Sequence, residues 1–286
     1  MLDFIVASLA DGLLLGFVYG IAAMGLSLIW GVMDVINLSH GPIIALGMFG
    51  IYLAFTGLGL NPYLTLPLVA LAGLLLGILI YAVAVHRVID APHLSTLLAT
   101  FSVNMIIIGI GTAVFTASPR NVDFSMGSVS LGTITLPWTR VAAALAAMLV
   151  TALLYLFLYR TRTGKAIRAV ANNRAAAELM GIPSSRVLAL SFGLGTMLAA
   201  IAGGLIATFF PFTILAGGTY ELRSFVICVL GGLGNPLGAL IGGLILGALE
   251  GIIPAFMETS WVPVLEFVLF VIILLVRPSG LLGSET

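Results

Sequence analysis

"VINLSHGPIIALGMFGIYLAFTGLGLNPYLTLPLVALAGLLLGILIYAVAVH", residues 35–86, contains no Asp, Glu, Lys or Arg. A run this long is more than twice the roughly 20 apolar residues that cross a hydrocarbon core of about 30 Å. Lipid offers no partner for a free peptide group, so such segments span as helices. The rest of the chain extends the pattern. Of 286 residues, 61% are hydrophobic and only 8% charged, with mean hydropathy +1.24, whereas about a quarter of a soluble domain is charged.

Working outward, apolar runs between polar or Gly/Pro breaks give spans near 10–30, 37–56, 62–86, 94–116, 139–159, 188–210, 222–233, 237–257 and 262–276. The fold expected is all-α: a polytopic membrane protein of eight or nine transmembrane helices in a single domain, 1–286, some of them short or broken. The seventh run is short enough for a half-helix. Lys and Arg in short loops favour the cytoplasm. With the 160–187 loop inside, eight basic residues fall inside (Arg87, Arg160, Arg162, Lys165, Arg168, Arg174, Arg186, Arg277) and three outside (Arg120, Arg140, Arg223). The expected C-terminus is cytoplasmic. No Lys or Arg precedes Arg87, so the first helix lacks a signal peptide's basic flank and is expected to be retained. Val129 and Leu131 alternate before Gly132-Thr133, and Ile134 and Leu136 after it, which suits a small outer hairpin.

Several chemistries are excluded. The only lysine lies in "TGKA", which lacks both the glycine spacing and the following Ser/Thr of a phosphate-binding loop. His40, His86 and His93 have no carboxylate or cysteine at ligand spacing, so no metal is expected. The lone Cys228 gives no disulfide framework. No Gly-x-Ser-x-Gly nucleophile motif occurs. Transport is the expectation for such a chain, with no nucleic-acid partner.

"INLSHGPIIALGMFG", residues 36–50, reads as a break: Asn37 and Ser39 are capping types, and Pro42 suits a first helical turn. A helix starting within the membrane directs free N–H groups at an anionic substrate group; an ordinary surface start is the alternative. Asn37, Ser39, His40 and Gly41 are therefore candidate substrate-path residues, with Asn104, embedded in the fourth span. "GGLGNPLGALIGGLILG", residues 231–247, places Asn235 and Pro236 in a similar break, which adds Asn235 to the candidate substrate path, and the two breaks suggest an internal repeat. Rows Gly234, Gly238, Gly242 and Gly243, Gly247, Gly251 allow close helix approach, within one subunit or at a moving interface. Glu250 reads as the partner of Arg223, or alternatively as a proton-coupling carboxylate of a secondary transporter; Glu266 reads as interfacial, and Trp30, Trp138 and Trp261 as anchors.

"TRTGKAIRAVANNRAAAELMGIPSSR", residues 161–186, holds five of the eleven basic residues. From Lys165 to Met180 it reads as a helix with an apolar side of Ile167, Val170, Ala171, Leu179 and Met180, stopped by Gly181-Ile182-Pro183. A plain positive-inside signal lying on anionic lipid accounts for the arginines but not for the helix or its stop.

"AAAELMGI" resembles the cytoplasmic loop of ABC importer permeases, with Ala176, Ala177 and Gly181 on the pattern and Ala175 where the family has Glu. "GLSLIWGVMDVINLSHGPIIALG", "GKAIRAVANNRAAAELMGI" and "VLGGLGNPLGALIGGLILG" extend this to the LivH-type permease subunit of branched-chain amino acid ABC importers. The resemblance implies alternating access and residues 160–187 as a coupling loop, with Lys165, Arg168, Arg174, Ala176, Ala177, Glu178 and Gly181 meeting the ATPases. It implies a LivM-like second permease, two ATPases carrying ATP and Mg, and an extracytoplasmic binding protein; this chain itself holds no cofactor. Aliphatic amino acids are the implied cargo, with urea or short amides as the alternative within the family.

Overall fold

The computed structural model describes residues 2–131, 134–277 and 279–283. Its helices are α1 (Leu2–Met33), α2 (His40–Leu58), α3 (Pro62–Ile80, continued by a π-turn, Tyr81–Val85), α4 (His93–Phe115), α5 (Trp138–Arg160), α6 (Arg162–Asn172), α7 (Arg174–Leu179), α8 (Ser184–Ile206), α9 (Gly217–Gly231), α10 (Pro236–Ile252) and α11 (Trp261–Val276). Eight of these segments are long and apolar enough to cross a membrane, and α11 is a shorter apolar helix. The hairpin forms as β1 (Ser128–Leu131) and β2 (Ile134–Pro137), antiparallel with Val129 opposite Leu136; its expected turn, 132–133, lies outside the described residues.

α1 and α8 cross at the buried centre, and the remaining helices wrap them. Glycine decides how closely. Gly12, Gly16 and Gly20 of α1 face Gly243, Gly247 and Gly251 of α10, where a β-carbon on Gly243 would sit 2.6 Å from Gly20 Cα. Gly73 and Gly77 of α3 face Thr196 and Gly193 of α8 in the same way. Backbones this close replace the hydrophobic driving force that lipid removes. The second glycine row is thus packing within one subunit, and its partner row on α1 escaped the sequence reading.

The helix contacts repeat in order, though not through the two breaks that suggested a repeat: Asn235 and Pro236 open α10, the counterpart of α3, which Asn61 and Pro62 open. α10 packs along α1 as α3 packs along α8; α9 lies on α1 as α2 lies on α8; α11 lies on α9 as α4 lies on α2. α1 starts beside the hairpin, where Asp11 pairs with Arg140, and α8 starts beside α7, where Ser184 donates to Glu178, so two four-helix units, α1–α4 and α8–α11, run in opposite directions, joined through α5, α6 and α7. One end of the bundle carries α6 and α7, the other the β hairpin.

Each unit has a helix that begins inside the bundle: α2 after the break at 34–39, and α9 after the turns and irregular chain of 207–216, whereas the second expected break, at Asn235, opens α10 instead. His40 Nε2 donates to the carbonyl of Ala22, 2.9 Å away; Ala22 lies roughly 16 Å of helical rise from Met33. From there α2 runs toward the hairpin end, where Phe49 stacks on Phe115 with ring centroids 4.2 Å apart. α9 runs the other way: Arg223 reaches Tyr19, and Cys228 Sγ donates to Ala23 O at 2.9 Å. α9 starts at Gly217, earlier than the 222 expected, because Gly217-Gly218-Thr219-Tyr220-Glu221 reads as a polar loop but is helical here. Arg223 is accordingly half-buried within a helix rather than on an outer loop.

Candidate functional site

Two regions carry the polar groups: the intrabundle break and the α6–α7 element. At the break, the non-helical segment 34–39 must satisfy its peptide groups without water. α4 does this. Thr100 Oγ1 donates to Ile36 O at 3.0 Å, and Asn104 Nδ2 to Leu38 O at 2.5 Å. Asn37 Oδ1 accepts from Ser39 N at 3.1 Å and from its hydroxyl at 2.6 Å, turning the chain into α2. Asn37, Ser39 and His40 are each at most 1% exposed. Asn37 Nδ2, His40 Nδ1 and Asn104 Oδ1 are buried and have no partner among the described residues. Gly41 is buried too, with its bare Cα against Gly217 and the Glu221 side chain. The candidate path residues of the first break are thus gathered at one place and shut off from solvent in this conformation. Asn235 lies apart from them, at the α6–α7 end. There it caps α10, accepting from Leu237 N and Gly238 N at 3.1 and 3.2 Å, while its Nδ2 donates to Leu282 O at 3.0 Å.

Next to the break lies a charge cluster. Arg223 donates to Tyr19 Oη at 2.8 Å and faces Glu250 at 3.3 Å and Glu266 at 3.8 Å. Glu250 is therefore an ion-pair partner, the first of its two readings. Glu266 is only 4% exposed, so its interfacial placement is corrected: α11 turns the carboxylate inward to the arginine. Arg140 pairs with Asp11 near the hairpin end.

In the α6–α7 element, Thr161 caps α6 by accepting from Gly164 N at 3.0 Å. Ile167 and Val170 are buried against the bundle. Arg168 turns back, donating through Nε to Leu158 O at 3.2 Å and lying 4.3 Å over the Tyr159 ring. Lys165 is exposed. The single helix expected from Lys165 to Met180 breaks at Asn173, whose extended backbone lets its side chain accept from Ala176 N and start α7. Arg174 is bound to Asp90 at 2.8 Å and to Glu178 at 3.2 Å. Glu178 also accepts from the Ser184 hydroxyl. That hydroxyl, and then Arg174, hold the Glu178 carboxyl below its usual range.

α7 stops as its sequence predicts. Gly181 N–H donates to Glu178 O at 2.9 Å and Ile182 N–H to Ala177 O at 3.0 Å, the paired bonds of a Schellman stop, and Gly181 has φ +81°. Ala177 is buried, and Ala176 is exposed. Leu179 and Met180 are 89% and 83% exposed. The apolar side expected across both helices is therefore divided: Ile167 and Val170 point in, and Leu179 and Met180 point out.

The chain is similar to known proteins over nearly its whole length. The family model for "Branched-chain amino acid transport system / permease component" matches residues 8–275. The chain is 30% identical to the high-affinity branched-chain amino acid transport system permease protein LivH of Salmonella typhimurium, over 96% of this chain and 94% of that protein. It is 29% identical to BraD of Pseudomonas aeruginosa over the same shares. It is 27% identical to the fructose import permease FruG of Bifidobacterium longum, over 87% of this chain and 77% of that one. No solved structure matches. The chain belongs to the family of branched-chain amino acid transport system permease components.

Proposed function

We propose that this chain is a membrane-spanning permease subunit of a bacterial ABC importer for branched-chain, aliphatic amino acids. The observation that carries the reading is the α6–α7 element: two short helices, together fixed to the bundle on three sides and ending in two outward apolar side chains. Asp90 holds it to the segment between α3 and α4, Arg168 to α5, and Ser184 to α8. A push on Leu179 and Met180 is passed to all three. In this reading the α6–α7 end faces the cytoplasm, as does the C-terminus, whose Leu281 and Leu282 bond to α9 at that same end. Two ATPase subunits bind there and supply the ATP and Mg chemistry, while this chain hydrolyses nothing. A LivM-like permease completes the membrane path, and a binding protein delivers substrate at the hairpin end.

The permeases LivH and BraD carry branched-chain amino acid transport in their names, and this chain is similar to both over nearly its whole length. Its interior suits such a cargo. The spans are apolar, while the break supplies a few buried amide, imidazole and hydroxyl groups. The Arg223–Glu250 pair favours this reading over an ion-coupled carrier, because it gives Glu250 a structural partner.

The test is co-purification of the tagged chain in mild detergent, then uptake by the recovered complex in proteoliposomes. Recovery of two ATPases and a second permease, with ATP-dependent leucine uptake, is the expected result. Urea uptake without leucine uptake moves the cargo to the amides. Uptake by the chain alone, driven by an ion gradient, overturns the reading.

A further inference from the structure

A second site lies where α5 and α6 meet α1 and the turn before α10. A cavity of about 500 Å³ opens there, and its lining includes Arg168, Asn172, Tyr159 and Asn235 but no carboxylate. Arg168 uses Nε on Leu158 O and its face on Tyr159, and its two terminal amino groups make no hydrogen bond among the described residues. Arg160, Arg162 and Lys165 flank it along the chain.

The cavity does not stop at this polar mouth. Tyr155 and Leu237 line it and also line a second hollow of about 460 Å³, which runs up between α1, α5 and α10 past Phe17, Ala152 and Leu240. That hollow is apolar and faces where lipid would lie. A stacked ladder joins the two: Arg168 lies 4.3 Å over Tyr159, and Tyr159 stacks on Tyr155 with centroids 4.5 Å apart. A basic, hydrogen-bonding pocket at one end of an apolar hollow that runs about 12 Å along α5, from Leu156 to Met148, has the polarity of a glycerophospholipid headgroup and the upper part of one acyl chain.

We infer that this composite cavity binds one anionic phospholipid, its phosphate on Arg168 with Asn172 and Asn235 beside it, and an acyl chain in the α1–α5–α10 hollow. Charge complementarity decides the headgroup. The pocket offers a guanidinium and amide groups without a counter-ion, as do basic pockets between helices that take acidic headgroups. Geometry ties the lipid to the mechanism as well, because Arg168 belongs to α6. A lipid held there joins the transmission element to the turn at Gly234-Asn235. The assignment is independent of which substrate is carried.

The experiment is native mass spectrometry of the purified full-length chain released from nanodiscs of equal phosphatidylcholine and phosphatidylglycerol. Wild type is expected to retain one phosphatidylglycerol, with about a five-fold preference over phosphatidylcholine, as one basic contact near the membrane surface supports. Arg168→Gln is expected to abolish the preference. Ala152→Phe, at an exposed position that disturbs no packing, fills the hollow and is expected to lower retention with Arg168 intact. Equal retention of the two lipids by wild type, or unchanged phosphatidylglycerol retention in either variant, overturns the assignment. So does cross-linking of Ala152→Cys to the second permease in the assembled complex, which gives the hollow to a protein.

Discussion

Gly41 and Gly217 meet backbone to backbone: a β-carbon on Gly41 would lie 2.5 Å from the Gly217 carbonyl oxygen, and one on Gly217 would lie 2.6 Å from the Gly41 carbonyl carbon. These two glycines open α2 and α9, so the inverted units touch where both broken helices begin. Any motion that exchanges access between the two ends must pass through or around this contact.

Alanine at either glycine is therefore expected to act as overpacking, about 1–3 kcal/mol each. The effects should be less than additive in the double variant, since both push the same two backbones apart. Thermal unfolding in detergent reads the first effect, and leucine uptake by the variant complex reads the consequence for transport. A double variant as costly as the sum of the singles would show that the helices move independently at this point.

Arg223 serves one buried carboxylate, Glu266, and one half-buried, Glu250, and this asymmetry predicts an order of damage. Arg223→Gln leaves Glu250 and Glu266 facing each other without a cation, a loss of about 3–5 kcal/mol. Glu250→Gln leaves Arg223 with Glu266 and Tyr19 and should cost much less, with uptake retained. The double variant should recover part of the Arg223→Gln loss. Abolition of uptake by Glu250→Gln in a stable, assembled complex would instead give Glu250 a transport role.

Much of this arrangement was legible in the chain. Uncharged runs and their Asn, Gly and Pro breaks set most span limits to within about five residues, because the bilayer leaves helices as the only option; α1 instead begins at Leu2 rather than near 10, since nothing in its first turns marks a start. What stayed hidden depended on partners distant in sequence. Glu266 looked interfacial because the arginine that draws it inward is on another helix. Asn173 sits among good helix formers, and nothing local marks it as a cap rather than an interior residue. Arg168 read as part of an outward surface because its partners, Leu158 O and Tyr159, are set by the angle between α5 and α6.

Gly181 tests the stop of α7. Its φ of +81° costs a non-glycine residue about 1–3 kcal/mol, while a side chain there meets nothing within 4 Å. Gly181→Val is expected to loosen α7 and weaken recovery of the ATPases, whereas Gly181→Asn, which tolerates this conformation, should retain them. Equal loss in both variants would point to a steric contact with a partner rather than to backbone strain.

The Glu178 carboxyl, held below its usual range by Ser184 and Arg174, fixes the sign of a pH effect on α7. The ionised group is the bonded one, so its contribution is fully present above the ordinary carboxylate value of about 4.3. It is lost only as pH falls through the lower folded-state value. A spin label at Leu179 should keep the same mobility from neutral pH down to about 5 and loosen only in stronger acid. Glu178→Gln should show the loosened signal already at neutral pH. A transition near pH 6 would assign the tether to a different group.

Asn235 does two jobs that substitution can separate. Its Oδ1 caps α10, and its Nδ2 holds the carbonyl of Leu282, whose N–H in turn donates to Gly231 O, as Leu281 N–H donates to Leu230 O. The C-terminal segment thus satisfies the last carbonyls of α9, which have no helical partner. Asn235→Asp keeps an acceptor for the cap and removes only the donor to Leu282. Asn235→Ala removes both, adding the ordinary capping loss of about 0.5–2 kcal/mol. Hydrogen exchange is expected to quicken at Leu281 and Leu282 in both variants, while the first turn of α10 quickens only in Asn235→Ala. If the tail amides stay protected in Asn235→Asp, the two backbone bonds to α9 hold the segment by themselves, and Asn235 acts as a cap alone.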